Sequence, residues 1–252
     1  MRFLVRKKLW LPAILVLVPI SILALRPKPA RTPTALSNVP PVIVWAWERP
    51  EKLDFIDPDQ VGVAFLAKTL RLQGDRVIAR PRLQPLELVP GTKLIAVVRI
   101  ESDHPTLAQD QLQQTVHEVT RLSELPNISV VQIDFDATTS ERDFYRSLLK
   151  QVRRDLPPAI SLSITALASW CAGDQWLGDA PIDEAVPMLF RMGIDQRHFQ
   201  SRPHFDAAIC RSSAGVSTDE LVTPPDVDRL YIFNPKPWSR DSLNSALEAY
   251  KK

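Results

Sequence analysis

Short apolar runs rich in β-branched residues recur along the chain after residue 41, and they predict strands. The runs are four to eight residues long and are bounded by polar or turn-forming residues. The eight predicted strands are 42–47, 61–66, 94–100, 129–135, 160–167, 185–190, 207–210 and 230–233.

Helical patterns lie between several of these strands. Segments 107–125 and 141–156 have apolar residues at helical spacing, and a closing helix is predicted over 241–250. In 141–156 the apolar residues recur every fourth position, and Ser140 precedes them as a candidate N-terminal cap. Strand and helix therefore alternate over much of the chain.

This alternation predicts a small (β/α)₈ TIM-like barrel. Residues 74–88 are extended in pattern and predict a hairpin in place of the second helix, and the connections after the fifth, sixth and seventh strands are short. An open doubly wound sheet is the alternative architecture. The chain has only seven glycines and none of them forms G-x-G-x-x-G, so no dinucleotide-binding motif supports that alternative.

The N-terminus has the order of an export signal. Basic residues at positions 2, 6, 7 and 8 precede an uncharged run over 9–25, which predicts a signal peptide or signal anchor over 1–26. Prolines then recur through a predicted linker over 27–41, and the barrel domain is predicted over 42–252. No A-x-A cleavage site follows closely, which favours an uncleaved inner-membrane anchor with a periplasmic domain; cleavage would give a secreted protein.

The charge balance excludes one class of partner. The chain has 31 basic and 29 acidic residues, a formal net charge of +2, whereas nucleic-acid binding normally requires a strongly basic surface. The composition, 45% hydrophobic and 24% charged, is that of a chain with a full core. No nucleic-acid partner is predicted.

Polar residues close most of the predicted strands, and in a barrel the carboxyl ends of the strands carry the active site. These closing residues are Glu48, Arg99, Glu101, Asp134, Asp136, Ser169, Trp170, Arg191 and Asn234. Glu48, Glu101, Asp134 and Asp136 are the candidate catalytic acids. Arg99, Arg191 and Asn234 are candidate substrate ligands.

Asp134 and Asp136 are the most informative of these acids, because the alternation of a strand puts both on one face. Carboxylates two residues apart are separated by roughly 7 Å, within the range of about 5 to 9.5 Å used for glycoside hydrolysis. An alternative remains open, in which both acids pair with Arg99 and form a structural polar layer.

Tryptophans indicate the class of substrate. Trp45, Trp47, Trp170, Trp176 and Trp238 lie at or near predicted strand ends, and sugar rings stack on such side chains. Trp170 and Trp176 flank Asp174 and are the candidate walls of a pocket. One or both of Trp45 and Trp47 could instead pack in the core.

Metal and cofactor signals are weak. The four histidines show no ligand spacing, no G-x-S-x-G motif occurs, and neither a metal nor a cofactor is predicted. The two cysteines, Cys171 and Cys210, could form a disulfide in an oxidising compartment or remain buried thiols. If they pair, the loop after Cys171 is expected to fold over the mouth of the barrel beside Trp170 and Trp176.

Several segments resemble an uncharacterised bacterial family, domain of unknown function 3142. The resemblance covers about residues 42–238, and its motifs are 132–136, 140–142, 162–171, 183–193 and 215–220. The family implies no established activity.

More distantly, the fourth predicted strand resembles the D-x-x-D-x-D-x-E strand of chitinase-type barrel glycosidases. Asp134 and Asp136 match its second and third acidic positions, whereas Val131 and Thr138 stand in place of its first Asp and its Glu. The catalytic acid of that family therefore cannot be transferred, and any acid here must be Asp136 or come from another strand.

The sequence favours a glycoside-hydrolase-like envelope protein that acts on or binds a polysaccharide or envelope glycan. A non-catalytic glycan-binding or structural envelope protein is the alternative.

Overall fold

The structure, a computed structural model, describes residues 35–103, 108–193, 204–220 and 222–250. The predicted signal or anchor segment over 1–26 lies outside these residues. Within the described ranges, no helix is long and apolar enough to cross a membrane.

Eleven strands and four α-helices are described. The strands are β1 Val42–Ala46, β2 Glu51–Leu53, β3 Val61–Gln73, β4 Arg76–Pro81, β5 Leu86–Leu88, β6 Leu94–Ser102, β7 Ile128–Asp134, β8 Ser161–Leu167, β9 Glu184–Met188, β10 Ser213–Ser217 and β11 Arg229–Phe233. The helices are α1 Gln109–Thr120, α2 Arg142–Asp155, α3 Ala168–Cys171 and α4 Arg240–Ala249.

Eight of the strands close into a parallel barrel. Their order is β1-β3-β6-β7-β8-β9-β10-β11, and β1 pairs in parallel with both β3 and β11. The pairing of β1 on both sides rules out the open sheet. The predicted TIM-like barrel is therefore confirmed, with fewer helices than is usual for this fold.

Alternation along the strands divides the core into an inner and an outer part. Trp45, Val97, Val186 and Tyr231 belong to a buried cluster inside the barrel. The intervening positions face outward and pack against the helices. Ile133 of β7, for example, belongs to the same buried cluster as Leu148 of α2.

The predicted hairpin is formed by β3 and β4, which pair antiparallel and are joined at Gly74. Gly74 has a φ of +61°, the left-handed region that favours glycine. The β3–β6 pairing continues to Leu72 and Ser102, whereas the β6–β7 pairing stops at Arg99 and Asp134. Residues 68–73 of β3, 99–102 of β6 and all of β4 thus rise above the barrel, and we call them the wall.

One predicted strand is wrong. Ala208–Cys210, within predicted strand 207–210, is a short 3-10 helix, and the seventh barrel strand is Ser213–Ser217. This strand is rich in small residues because the barrel interior is crowded there: a Cβ atom added to Gly215 would lie 3.1 Å from the Trp45 ring. The low hydrophobicity of the strand hid it from the pattern.

The N-terminal end of the barrel is closed by a segment that precedes β1. Ala35–Asn38 forms a 3-10 helix, and Leu36 and Val39 are buried in the inner cluster. Arg229 Nη2 donates a hydrogen bond of 2.6 Å to the Leu36 carbonyl. The folded part therefore begins before residue 42, the boundary predicted from the prolines.

Candidate functional site

Two adjoining pockets open at the carboxyl ends of the barrel strands and share Arg99, Asp134 and Asp136. The first has a volume of about 550 Å³, and we call it the acidic half of the mouth. The second, of about 320 Å³, we call the aromatic half. The acidic half is also lined by Glu101, Asp103, Thr138 and Glu141. The aromatic half is also lined by Trp45, Trp47, Thr165, Met188, Phe190, Arg191 and Phe233.

Asp134 is held in place by its neighbours on both sides. It is 6% exposed, and Thr165 Oγ1 donates to its Oδ1 at 2.7 Å while Arg99 Nη1 donates to its Oδ2 at 3.2 Å. The alternation of β7 turns this side chain inward, and the β6–β7 register places Arg99 directly beside it. Burial raises the pKa of Asp134, Arg99 acts in the opposite sense, and Asp136 adds to the rise.

Asp136 lies two residues further along the chain and is exposed. It lines both halves of the mouth, and among the residues that the structure describes no hydrogen-bond partner is found for it. Phe135, between the two acids, turns outward and contacts Tyr145, with ring centroids 5.2 Å apart. Of the two acids, Asp136 is therefore the one whose carboxylate is available to a ligand.

Arg99 connects the two halves of the mouth. Its Nε lies 3.3 Å from Glu101 Oε1, and its guanidinium stands 5.5 Å from the centre of the Trp47 ring. Together with the bond to Asp134, these contacts fix the side chain between a carboxylate pair and an aromatic face.

The aromatic half is lined on one side by packed aromatic rings. Phe190 and Phe233 stack in parallel with centroids 5.5 Å apart, and Trp47 meets Phe233 edge-on at 6.2 Å. The Arg191 guanidinium lies 5.7 Å from the Phe233 ring and pairs with Asp219 and Glu220. Trp45 lies deeper, and its indole N–H donates to Gln132 Oε1 at 3.2 Å.

The structure brings five of the predicted site residues to the mouth and leaves four elsewhere. Arg99, Glu101, Asp134, Asp136 and Arg191 line the two pockets. Glu48, Trp170, Trp176 and Asn234 line neither of them.

Trp170 corrects the expectation of a sugar platform. It is 2% exposed and packs in the outer core, with its ring 4.9 Å from Trp176 and 6.3 Å from Tyr145. Trp176 is partly buried in the same cluster, with the Arg142 guanidinium 5.5 Å from its ring. Trp170 packs beside α2 because the chain turns into α3 at Ala168, which ends the strand alternation.

The two polar residues left outside the mouth have different environments. Asn234 is buried, its Oδ1 accepts from Thr218 at 2.7 Å and its carbonyl accepts from Arg49 at 2.6 Å, so its polar atoms hold loops together. Glu48 follows β1 and is partly exposed.

Phe190, Phe233 and Thr165 are among the mouth residues that the sequence interpretation did not select, and Trp47 was named only as one of five tryptophans near strand ends. The alternation of β1 and β11 contains the missing signal, because Trp47 continues the inward set of Trp45 and Phe233 continues that of Tyr231.

A disulfide joins Cys171 to Cys210, with their Cα atoms 5.9 Å apart. It links α3 to the 3-10 helix before β10, and both residues are buried in the outer core. Neither cysteine lines the mouth, so the bridge is not the cover over the site that the sequence suggested.

No group of three or more His, Cys, Asp or Glu side chains is arranged to hold a metal ion in the described part of the chain.

Comparison with known families shows a similarity in the middle of the chain. Residues 90–186 match the family model described as Domain of unknown function (DUF3142). The resemblance predicted from the motifs is thus confirmed over a segment that runs from before β6 into β9 and includes Arg99, Asp134 and Asp136. Trp47, Phe190 and Phe233 lie outside the matched DUF3142 segment.

A search of curated proteins gave no match. Among solved structures, the chain is similar to the Bacillus cereus spore cortex-lytic enzyme SleL, with 16% identity and a TM-score of 0.42. The similarity covers 60% of this chain and 42% of that chain, so this chain spans less than half of its length.

Proposed function

We propose that the mouth of the barrel binds a carbohydrate chain and that Asp136 is the acid or base in hydrolysis of a glycosidic bond. The observation that carries this proposal is the composition of the mouth. Two carboxyl groups lie there beside a group of aromatic rings, at the carboxyl ends of the strands. A sugar has an apolar ring face and a polar rim, and the two halves of the mouth match these two parts.

The two carboxyl groups have different roles in this proposal. Residues two apart on an extended strand are separated by roughly 7 Å, a spacing that suits a pair working on opposite sides of a sugar. Asp136, which is exposed, contacts the substrate. Asp134, which is held by hydrogen bonds from Thr165 and Arg99, is the second carboxyl group of the pair and contributes to the electrostatic potential around Asp136.

The experiment is a hydrolysis screen of the full chain against polysaccharides, with release of reducing ends as the readout. Asp136→Asn is expected to lower turnover of a responsive polysaccharide by about 10² or more, the usual contribution of general acid–base catalysis. Asp143→Asn is the matched control, because Asp143 is exposed at the start of α2 and lines neither pocket. Equal turnover by Asp136→Asn and the parent chain would contradict the catalytic role.

A second candidate, carbohydrate binding without hydrolysis, is favoured by the hydrogen bonds of Asp134. Both of its oxygens already have partners, which leaves Asp136 as the freer of the two carboxyl groups. Binding that Trp47→Ala weakens about tenfold, with no turnover by the unmutated chain, would support this candidate. Absence of both binding and turnover would leave a structural envelope role.

We also propose that the barrel works outside the cytoplasm, anchored in or exported across the inner membrane. The support is the order of basic and apolar residues over 1–26 together with the Cys171–Cys210 disulfide, since such bonds persist in oxidising compartments. A polysaccharide of the cell envelope is the corresponding partner. Reporter fusions after residue 41 that are active only in the cytoplasm would contradict this location.

A further inference from the structure

The wall above the barrel has two unlike faces. One face packs on α1, where Leu70, Leu72 and Ile100 share a core with the helix. Lys68 lies on this side as well and reaches Glu118 of α1 at 2.6 Å. This side is therefore an ordinary buried sheet face.

The other face looks towards the side of the mouth and carries arginines. Strand register places Thr69 beside Arg99 and Arg71 beside Glu101. Across the hairpin, Arg80 is paired with Thr69, Ile78 with Arg71, and Arg76 with Gln73. Residues paired across neighbouring strands point to the same side of a sheet, so two rows of side chains run from β6 across β3 to β4, Arg99–Thr69–Arg80 and Glu101–Arg71–Ile78.

This face is open to solvent. Arg71, Gln73, Arg76 and Arg80 are exposed, and Ile78 is 43% exposed among them. Arg71 pairs with Glu101 at 3.2 Å, and Arg76 is 3.9 Å from the equally exposed Asp75. No ion pair is found for Arg80 within the described residues. The face therefore offers guanidinium groups around a small apolar surface.

The arginine face is continuous with the mouth. Arg99 and Glu101 line the acidic half, and they are also the β6 residues of the wall face. Neighbouring strands are about 4.8 Å apart, so β4, which carries Arg76 and Arg80, lies roughly 10 Å from β6. Along β4 these two arginines are roughly 13 Å apart, because each residue of a strand adds about 3.3 Å. A chain that leaves the mouth on this side passes over them.

We propose that this face extends the binding site and holds the carboxylate groups of an acidic polysaccharide, a substrate class that rests on the proposed function of the mouth. Guanidinium groups bind carboxylates through paired N–H donors. The wall already contains a carboxylate that is held by two arginines, since Arg71 and Arg99 each donate one N–H group to Glu101. Ile78 supplies an apolar contact for a sugar ring between the arginines.

The test measures binding of the full chain to carboxylated polysaccharides and to their carboxyl-reduced neutral forms. The probes are polygalacturonate, alginate and hyaluronan. The double variant Arg76→Gln/Arg80→Gln is expected to weaken binding of the responsive carboxylated form about fivefold to tenfold, because it removes two exposed ionic contacts; this corresponds to about 1.0 to 1.4 kcal/mol in total. Binding of the neutral form is expected to stay unchanged. The difference in affinity for the carboxylated form between the parent chain and the double variant should shrink at high salt.

The control is Arg121→Gln/Arg154→Gln, which removes the same charge from exposed positions at the C-terminal ends of α1 and α2. It is expected to bind both forms as the parent chain does. Equal thermal midpoints for the two double variants exclude a loss of folding as the cause.

The outcomes separate this inference from the proposed function. If no carboxylated form binds more tightly than its neutral form, the arginine face has no such role, while neutral binding that depends on Trp47 still supports the site at the mouth. If carboxylated binding depends on Arg76 and Arg80 but not on Trp47, the wall binds and the mouth does not. Binding to anionic lipid vesicles that the double variant loses, without binding to any carboxylated glycan, would overturn the inference.

Discussion

At the scale of single residues, Asp134 is subject to opposing influences. Burial disfavours its ionised form, and the nearby charge of Asp136 does so too, whereas Arg99 and the Thr165 hydroxyl favour it. Burial is the largest of these effects, so the pKa of Asp134 is raised above its usual range. The folded chain therefore binds this proton more tightly than the unfolded chain does.

This imbalance predicts a pH dependence of stability. Because the folded pKa of Asp134 is raised, its contribution to the free energy of unfolding decreases as the pH rises from the ordinary value of about 3.9 to the folded value. Above the folded pKa the loss is complete and constant. Urea unfolding of the parent chain and of Asp134→Asn across this window should show that the variant lacks this decrease.

The control for that measurement is Asp155→Asn. A hydrogen bond from Arg154 lowers the pKa of Asp155, so its contribution has the opposite sign: it is present above the unfolded pKa and is lost as the pH falls. Identical pH profiles for the parent chain and Asp134→Asn would contradict the raised pKa.

Residue-level prediction from sequence worked at the end of β7 and failed at the end of β8. The alternation of β7 predicted that Asp134 and Asp136 lie on one side, and both line the mouth although the strand ends at Asp134. Trp170 was predicted by the same logic, but α3 begins at Ala168 and rotates the ring into the outer core. A change of local structure within three residues leaves no clear trace in hydrophobicity.

At the scale of elements, β9 carries an acid that stabilises the inside of the barrel. Glu184 is buried and accepts hydrogen bonds from Ser163 at 2.8 Å, Arg229 at 2.8 Å and Tyr231 at 2.6 Å, and also from Ser213. These donors come from β8, β10 and β11, so one carboxylate joins four strands. Sequence analysis missed it because the predicted strand began at residue 185, where the apolar run starts.

Removal of this acid is expected to be costly. Glu184→Ala leaves the largely buried charge of Arg229 without its partner, which should lower the free energy of unfolding by about 3 to 5 kcal/mol. Glu87→Ala on β5 is the control, since Glu87 is exposed and lies 3.9 Å from Lys52; its effect should stay within about 0.5 kcal/mol. Similar urea midpoints for the two variants would show that Glu184 does not hold the strands together.

At the scale of the whole molecule, the barrel and the helices α1, α2 and α4 could be predicted from the order of the apolar patterns, whereas the seventh barrel strand and the segment before β1 could not. Seven of the eight barrel strands coincide with apolar runs, and β10 was displaced because its residues are small and polar. The closing segment before β1 was interpreted as a linker because prolines surround it, although Leu36 and Val39 are buried inside the barrel. Proline content describes the local backbone and contains no information on such distant packing.

The disulfide supplies covalent support beside β9 and β10. It fixes the connection between β9 and β10 to α3, and the backbone N–H groups of Asp206 and Ala207 also donate to the Cys171 carbonyl, at 2.9 and 3.2 Å. The bond closes a loop with a sequence separation of 39 residues. In the chain-entropy model a loop of this length corresponds to about 4 kcal/mol of stability.

The double variant Cys171→Ser/Cys210→Ser tests that contribution without leaving a free thiol. It is expected to lower the free energy of unfolding by about 4 kcal/mol, because the unfolded chain regains the freedom that the bond removes. Turnover or binding at the mouth should persist under conditions where the variant remains folded, since neither cysteine lines the two pockets. Two alkylatable thiols in the parent chain under non-reducing conditions would show that the bond does not form. An unchanged urea midpoint in the variant would show that the bond forms without stabilising the barrel.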